Sequence, residues 1–148
     1  TEQSRKLRML LGFAQNSACG LMTAEYLTLK NDATVQDAFD LLKANVNAPA
    51  NLNHIYVVDD KNHLVGVTSL RTFIAVPMET PIVQACYSIK ISVHPEDGVE
   101  EIALLLEKYK FSSIPVVDEH NVLQGVITTD DVMEELISLV WTKYKDQL

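Results

Sequence analysis

One stretch of this chain is written twice, and that repetition constrains the fold more than any other feature. Residues 55–73 read IYVVDDKNHLVGVTSLRTF and residues 114–132 read IPVVDEHNVLQGVITTDDV. At a constant offset of 59 (114 − 55), eight positions are identical: Ile55/Ile114, Val57/Val116, Val58/Val117, Asp59/Asp118, Asn62/Asn121, Leu64/Leu123, Gly66/Gly125 and Val67/Val126. Two similar units in one chain are expected to pack together about a pseudo-two-fold axis, with a cleft between them. Clefts between related units are common places to hold a small ligand, so the chain reads as a sensor.

The 148 residues suit one compact domain, whereas a half of roughly 60 residues would be marginal alone, so the halves should share a core. A formal charge of -8 and a pI near 4.8 exclude a surface that tracks nucleic-acid phosphates and favour attraction of cations. Cys19 and Cys86 form no CxxC and read as free thiols of a reducing compartment. No apolar run approaches the ~20 residues that span a bilayer, so any membrane connection is expected outside this sequence. No nucleophile elbow, general base or metal clamp is visible, which argues against an enzyme. His63 and His120 fall in the two hairpin turns as surface residues, and His54 and His94 flank strands without zinc spacing.

The periodicities give an α+β chain with the order β-α-β-β-α, twice over. Residues 1–20 form an N-terminal helical segment, with Leu7, Leu10 and Leu11 on one helix face over 4–13. Repeat one spans 21–76, a linker with Pro77 and Pro81 spans 77–87, repeat two spans 88–139, and 140–148 ends a terminal helix. In repeat one, 26–29 alternates as a strand and Thr34 caps a helix with Val35, Ala38, Phe39, Leu41 and Leu42 at helical spacing. The β-branched runs 55–59 and 64–69 then form a hairpin. In repeat two, 88–93 is the first strand, and Asp97 with Glu100 spells a capping box. The helix that follows turns Val99, Ile102, Ala103, Leu105, Leu106 and Tyr109 inward, and the hairpin 113–118/122–128 leads to the terminal helix through Met133, Leu136, Ile137, Val140 and Trp141.

The paired V-V-D-x-x-x-x-L-x-G-V-x-[ST] segments, each followed by a helix, resemble the CBS domain, and two in tandem resemble a Bateman module. The resemblance covers the chain from Leu21 to about Leu139 and implies two CBS repeats packed with pseudo-two-fold symmetry, a homodimer formed through them, and an adenine nucleotide, AMP or ATP, as ligand. A narrower likeness runs through RKLRMLLGF, SACGLMTAEYLTL, VVDDKNHLVGVTSLRTFI and VITTDDVMEEL, which are similar to the cytosolic CBS region of MgtE-type magnesium transporters. It implies a cytoplasmic regulatory piece, preceded by a helical domain and followed by a transmembrane domain, in which Mg2+ and nucleotide gate transport. The rival reading is a stand-alone CBS pair that senses adenine nucleotides and regulates an enzyme or another channel.

The sharpest motif is G-x-x-[ST]-x-x-D at a strand-to-helix turn, complete in repeat two as Gly125, Thr128 and Asp131. Glycine allows close approach of a ligand to the backbone, a helix N-terminus favours phosphate oxygens, and a carboxylate accepts both hydroxyl protons of a ribose. The resemblance adds Ser92, Ser113, Ile114 and Pro115 as the remaining wall. Thr128 and Asp131 also spell a capping box, the purely structural alternative. Repeat one has Thr72 where the carboxylate belongs, leaving Thr28, Ser69 and Arg71 as a weaker second site. Asp130, Glu134 and Glu135 crowd the start of the terminal helix, either as hard oxygen ligands for Mg2+ or as a solvated first turn favoured by the helix dipole.

Overall fold

The computed structural model describes residues 17–47, 54–88 and 91–145. The helix expected over 4–13 and most of the 45–53 loop lie outside the described residues. In chain order the elements are α1 (Ala18–Leu21), β1 (Leu27–Lys30), α2 (Val35–Ala44), β2 (His54–Val58), β3 (Leu64–Ser69), α3 (Leu70–Phe73), a 3-10 turn (Ile82–Gln84), α4 (Val99–Tyr109), β4 (Ser113–Val117), β5 (Leu123–Thr128) and α5 (Thr129–Lys145).

These elements fall into two compact bodies whose borders differ from those of the sequence repeats. The first holds residues 25–91 together with 117–123, and the second holds the chain up to residue 24 together with 92–116 and 124–148.

In the first body β1 runs parallel to β2, and β2 runs antiparallel to β3. Thr34 caps α2 through a full capping box: its hydroxyl accepts from the Asp37 amide, and the Asp37 carboxylate accepts from the Thr34 amide at 2.9 Å. The core is Leu27, Val35, Ala38, Ile55, Val57, Phe73, Ile82 and Ala85. Phe39 meets Phe73 edge-on at 4.9 Å. Ile82 and Ala85 come from the stretch read as a linker. That stretch is stitched down instead, because Val35 N–H donates to Thr80 O, Gln36 N–H to Met78 O, and Ile82 N–H to Ala33 O. Pro81 caps the 3-10 turn that places Ile82 fully in the core.

Gly66 marks the closest approach in this body. Val67 and Tyr87 exchange both backbone hydrogen bonds, at 3.0 and 2.9 Å, which lays residues 86–87 against β3 where glycine has no Cβ. Gly125 does the same in the second body: Thr23 and Val126 exchange backbone bonds at 2.8 and 3.1 Å, and Met22 lies over the glycine. The glycine of the motif therefore admits another segment of the chain, which corrects the expectation that it admits a ligand.

The turns of the two hairpins interlock within the first body. Asn62 and Asn121 adopt left-handed backbone, at φ of 66° and 65°. Leu64 N–H donates to Asn121 O and Leu123 N–H to Asn62 O, while the Asn62 amide donates to Leu123 O and the Asn121 amide to Leu64 O, all at 3.0 Å. Asp59 folds back to accept from the amides of Lys61 and His63, and Asp118 from those of His120 and Val122. The backbone hydrogen bond from His63 holds the Asp59 carboxyl below the usual carboxylate range, and that from Val122 does the same for Asp118. His63 is no simple surface residue: its Nδ1 sits 2.9 Å from Asp59 Oδ2. Replacing either Asn62 or Asn121 by glycine keeps the left-handed turn and deletes one carboxamide donor. Each change should cost about 1–2 kcal/mol in urea unfolding, from the lost bond plus glycine's freedom in the unfolded chain.

In the second body Ala18 N–H donates to Asp97 O and Cys19 N–H to Pro95 O, which fastens α1 below α4. Val99, Ile102, Leu106, Ile114, Val116, Ile127 and Val132 are buried there. Of the strand expected over 88–93, residues 89–90 lie outside the described residues, and Val93 makes only a single parallel bridge, to Val116. The capping box of Asp97 and Glu100 is not formed. Gly98 is the N-cap, and Asp97 turns back to accept from His94 N–H at 2.8 Å, a tighter local turn that removes it from the helix end. Tyr109 points outward instead of inward and stacks on Phe111, with ring centroids 5.7 Å apart. Met133, Ile137, Val140 and Trp141 on α5 are exposed as well, and Val132 is the fully packed residue of that helix.

Candidate functional site

All six residues proposed for the repeat-two site lie in the second body, and hydrogen bonds tie the three segments that carry them. Ser92 immediately precedes Val93, whose N–H donates to Pro115 O at 3.0 Å. That bond lays the end of the incoming segment along β4, which starts at Ser113. β5 closes with Thr128, and Thr129 N–H donates to Ser112 O at 2.9 Å. The beginning of β4 and the beginning of α5 are thereby held side by side, with Asp131 one turn into the helix. Ser92, Ser113 and Asp131 are half-buried, while Ile114, Pro115 and Thr128 are buried. Ile114 belongs to the apolar core, so it has only its backbone to offer a ligand.

Thr128 and Asp131 face each other directly. The Thr128 hydroxyl donates to Asp131 Oδ2 at 2.9 Å and accepts from the Asp131 amide at 3.2 Å. Thr128 thus acts as the cap, and the carboxylate of Asp131 is oriented by the hydroxyl with one oxygen left for other partners. The start of α5 is less open to phosphate than its sequence suggests: the Thr129 amide is committed to Ser112 O and the Asp131 amide to Thr128. Asp130 and Asp131 in the first turn also oppose an anion. The arrangement favours hydroxyl groups at Asp131 over phosphates at the helix axis.

The repeat-one counterpart is built differently. Thr28 pairs with Tyr56 across β1 and β2, and Ser69 pairs with His54 across β2 and β3. The Ser69 and Thr72 hydroxyls lie 3.3 Å apart, repeating the Thr128–Asp131 contact without a charge. Arg71 is exposed on α3, which is only four residues long. His54, expected to flank a strand and without zinc spacing, is the first residue of β2. At the repeat offset it occupies the position of Ser113 (54 + 59), and burial pushes its imidazole below the ordinary histidine range, favouring the neutral ring. Tyr56 takes the place of Pro115 and is buried, with Tyr26 edge-on at 6.3 Å.

The acidic residues of α5 do not gather. Asp130 and Glu134 are exposed one turn apart and Glu135 is half-buried around the helix from them. Among the described residues no three His, Cys, Asp or Glu side chains converge to hold a metal ion. Cys19 and Cys86 are free thiols, and burial pushes the Cys86 thiol up. Among the described residues no helix is long and apolar enough to cross a membrane.

Two α+β repeats with a shared hairpin motif, each closing at a strand-to-helix turn, define a tandem pair of one small domain type. The sequence profile of the CBS domain matches residues 18–79 and 71–138, and the chain belongs to the CBS domain family as a tandem pair. It is 34% identical over 135 residues to the magnesium transporter MgtE of Bacillus subtilis (strain 168), covering 91% of this chain and 30% of that protein. The chain therefore spans under a third of the length of such relatives. Among solved structures, the soluble part of a magnesium transporter superposes with a TM-score of 0.80 at 33% identity, covering 93% of this chain and 54% of that one. The cytosolic domain of the Mg2+ channel MgtE in complex with ATP superposes with a TM-score of 0.77 at 34% identity, over 84% of this chain and 50% of that one.

Proposed function

We propose that this chain is the cytosolic, ligand-sensing CBS module of a magnesium transporter, and that it binds one adenine nucleotide in repeat two to bias the transporter's gate. The observation that carries the reading is the junction of Ser92, residues 113–115, Thr128 and Asp131 in one body, with a carboxylate present there and absent from repeat one. The ATP complex of a relative with 34% identity supports the ligand class. Asp131 accepts ribose hydroxyls, while Ser92 and the backbone of residues 113–115 frame the base. Regulation follows by population shift: nucleotide that binds one state of the transporter better moves the equilibrium by the ratio of its two affinities.

Two copies of an acidic chain repel each other, so a divalent cation shared between them would favour a closed homodimer. Asp130, Glu134 and Glu135 then supply part of such a site, and the remaining ligands come from a second surface. The exposed apolar residues of α5 support a partner surface in this part of the molecule.

The test is a thermal-shift titration of the chain with AMP, ATP and Mg2+, singly and combined. A ligand confined to the folded state raises stability by about 2.7 kcal/mol at a hundred times its Kd. A rise with adenine nucleotide and a further rise with millimolar Mg2+ are expected. A midpoint that none of the three moves refutes the sensing role, and a nucleotide rise with no Mg2+ response favours a sensor attached to another protein.

A further inference from the structure

The exposed connector between α4 and β4 is held in place by a residue that the motif does not include. Lys110 ends α4 in left-handed backbone, at φ 56°. Phe111 N–H then donates to Leu106 O at 3.2 Å, and the Phe111 ring stacks on Tyr109. Phe111 and Ser112 are nonetheless exposed, and a short exposed connector has little packing to fix it. What fixes it is Thr129. Its hydroxyl lies 3.1 Å from both Phe111 O and Ser112 O, and its amide donates to Ser112 O at 2.9 Å.

A threonine at the start of a helix more often bonds within its own helix. Thr129 reaches across 17 and 18 residues instead. Its side chain is thereby committed to the residue that precedes Ser113, while its own neighbour is Thr128. One hydroxyl thus holds together two of the three segments that supply the repeat-two site.

Repeat one has no hydroxyl at the matching position. The residue matched to Thr129 at the repeat offset is Leu70 (70 + 59), which has no hydrogen-bonding side chain and is 45% exposed. The two repeats therefore differ at two neighbouring places, Thr72 against Asp131 and Leu70 against Thr129.

We propose that Thr129 is a positioning residue that pre-forms the repeat-two site by fixing Phe111 and Ser112 against the start of α5, and that it contributes to the choice of repeat two over repeat one as the nucleotide site. This rests on the nucleotide reading above. Thr129 touches no ligand in this account. Its effect is to place Ser113 before binding, so that the connector is not ordered at the expense of affinity.

The test compares Thr129→Val, which keeps the shape and deletes the hydroxyl, with Thr129→Ser, which restores the hydroxyl without the methyl. Titration calorimetry with ATP reads affinity, and amide hydrogen exchange without ligand reads the Phe111 and residue-129 amides. The valine variant should bind ATP about three- to tenfold more weakly, the effect of one ordinary hydrogen bond. Both amides should exchange faster in it, and the serine variant should return affinity and exchange close to the parent values. A purely structural role would lower the melting point of the valine variant without a serine-rescued change in affinity. Parent-like ATP binding by Thr129→Val, or no rescue by Thr129→Ser, overturns the proposal. If the parent chain binds no ATP, the nucleotide reading itself fails. The exchange data then still decide whether Thr129 holds the connector: unchanged rates remove that role, and faster rates retain it.

Discussion

Gly66→Ala should destabilise the chain by about 2–3 kcal/mol, the range for an added methyl that well-packed surroundings cannot absorb. A Cβ at this position would lie 2.6 Å from Tyr87 O and 2.9 Å from Cys86 Sγ. The carbonyl cannot retreat cheaply, because Tyr87 and Val67 exchange both of their backbone hydrogen bonds. Gly66 itself is buried in β3, so opening that edge would strand two backbone groups without their partners. Gly125→Ala provides the internal control. Its Cβ would meet Met22 Sδ at 2.8 Å and Met22 Cβ and Cγ at 3.0 Å; the sulfur end can rotate aside, and only Met22 Cβ has to give by a few tenths of an ångström. A smaller cost of about 1–2 kcal/mol is expected there. Urea unfolding of the two variants separates the cases, and equal effects would show that the Tyr87 segment yields as readily as a methionine side chain.

Asp131→Ala should weaken adenine-nucleotide binding by about 10- to 100-fold, the size of a lost hydrogen-bond set on a charged group. Its effect on stability should stay within about 1 kcal/mol. The reason lies in which atom does the capping. The Asp131 amide donates to Thr128 Oγ1, an interaction that alanine at 131 leaves intact. What alanine removes is the Oδ2 acceptor of the Thr128 hydroxyl, and that hydroxyl keeps its role as acceptor. Asp131→Asn supplies a milder comparison, with one acceptor oxygen in place of two. It should bind between the parent and the alanine variant. Parent-like affinity in Asp131→Ala would reduce the carboxylate to a structural partner of Thr128.

The parts of this molecule legible in its sequence are those decided by neighbours in the chain. The β-branched runs around Val57 and Val116 fold as the expected hairpins, and the helices starting at Val35 and Val99 follow their apolar spacing. Thr34 caps as expected because its partner, Asp37, lies three residues away. The structure departs from the expectations where a competing local turn or a distant segment decides. Asp97 was drawn to His94 N–H, leaving Gly98 to cap α4. Ile82 and Ala85 look like linker residues until the bonds from Val35 and Gln36 pull their segment into the first body. The two motif glycines invite a ligand by their type, yet Tyr87 and Met22 occupy the space.

The candidate site divides in the same way. Thr128 and Asp131 are three residues apart, and their contact is legible from that spacing. Thr129 is invisible to such reading, because its partners lie 17 and 18 residues back in a connector with no motif of its own. The place of His54 is legible by applying the repeat offset one residue before the repeated run, where it matches Ser113. The acidic start of α5 is legible as a charge cluster, but spacing along one helix does not say which second surface would complete a site with Asp130, Glu134 and Glu135.

The central claim is that one repeat of the pair holds an adenine nucleotide and the other does not. Titration calorimetry of the chain with ATP tests it most directly, because stoichiometry is read together with affinity. The account predicts one ATP per chain, weakened about 10- to 100-fold by Asp131→Ala and unchanged by Thr72→Ala. Two equivalent sites, or a single site that survives Asp131→Ala and disappears with Thr72→Ala, would contradict it.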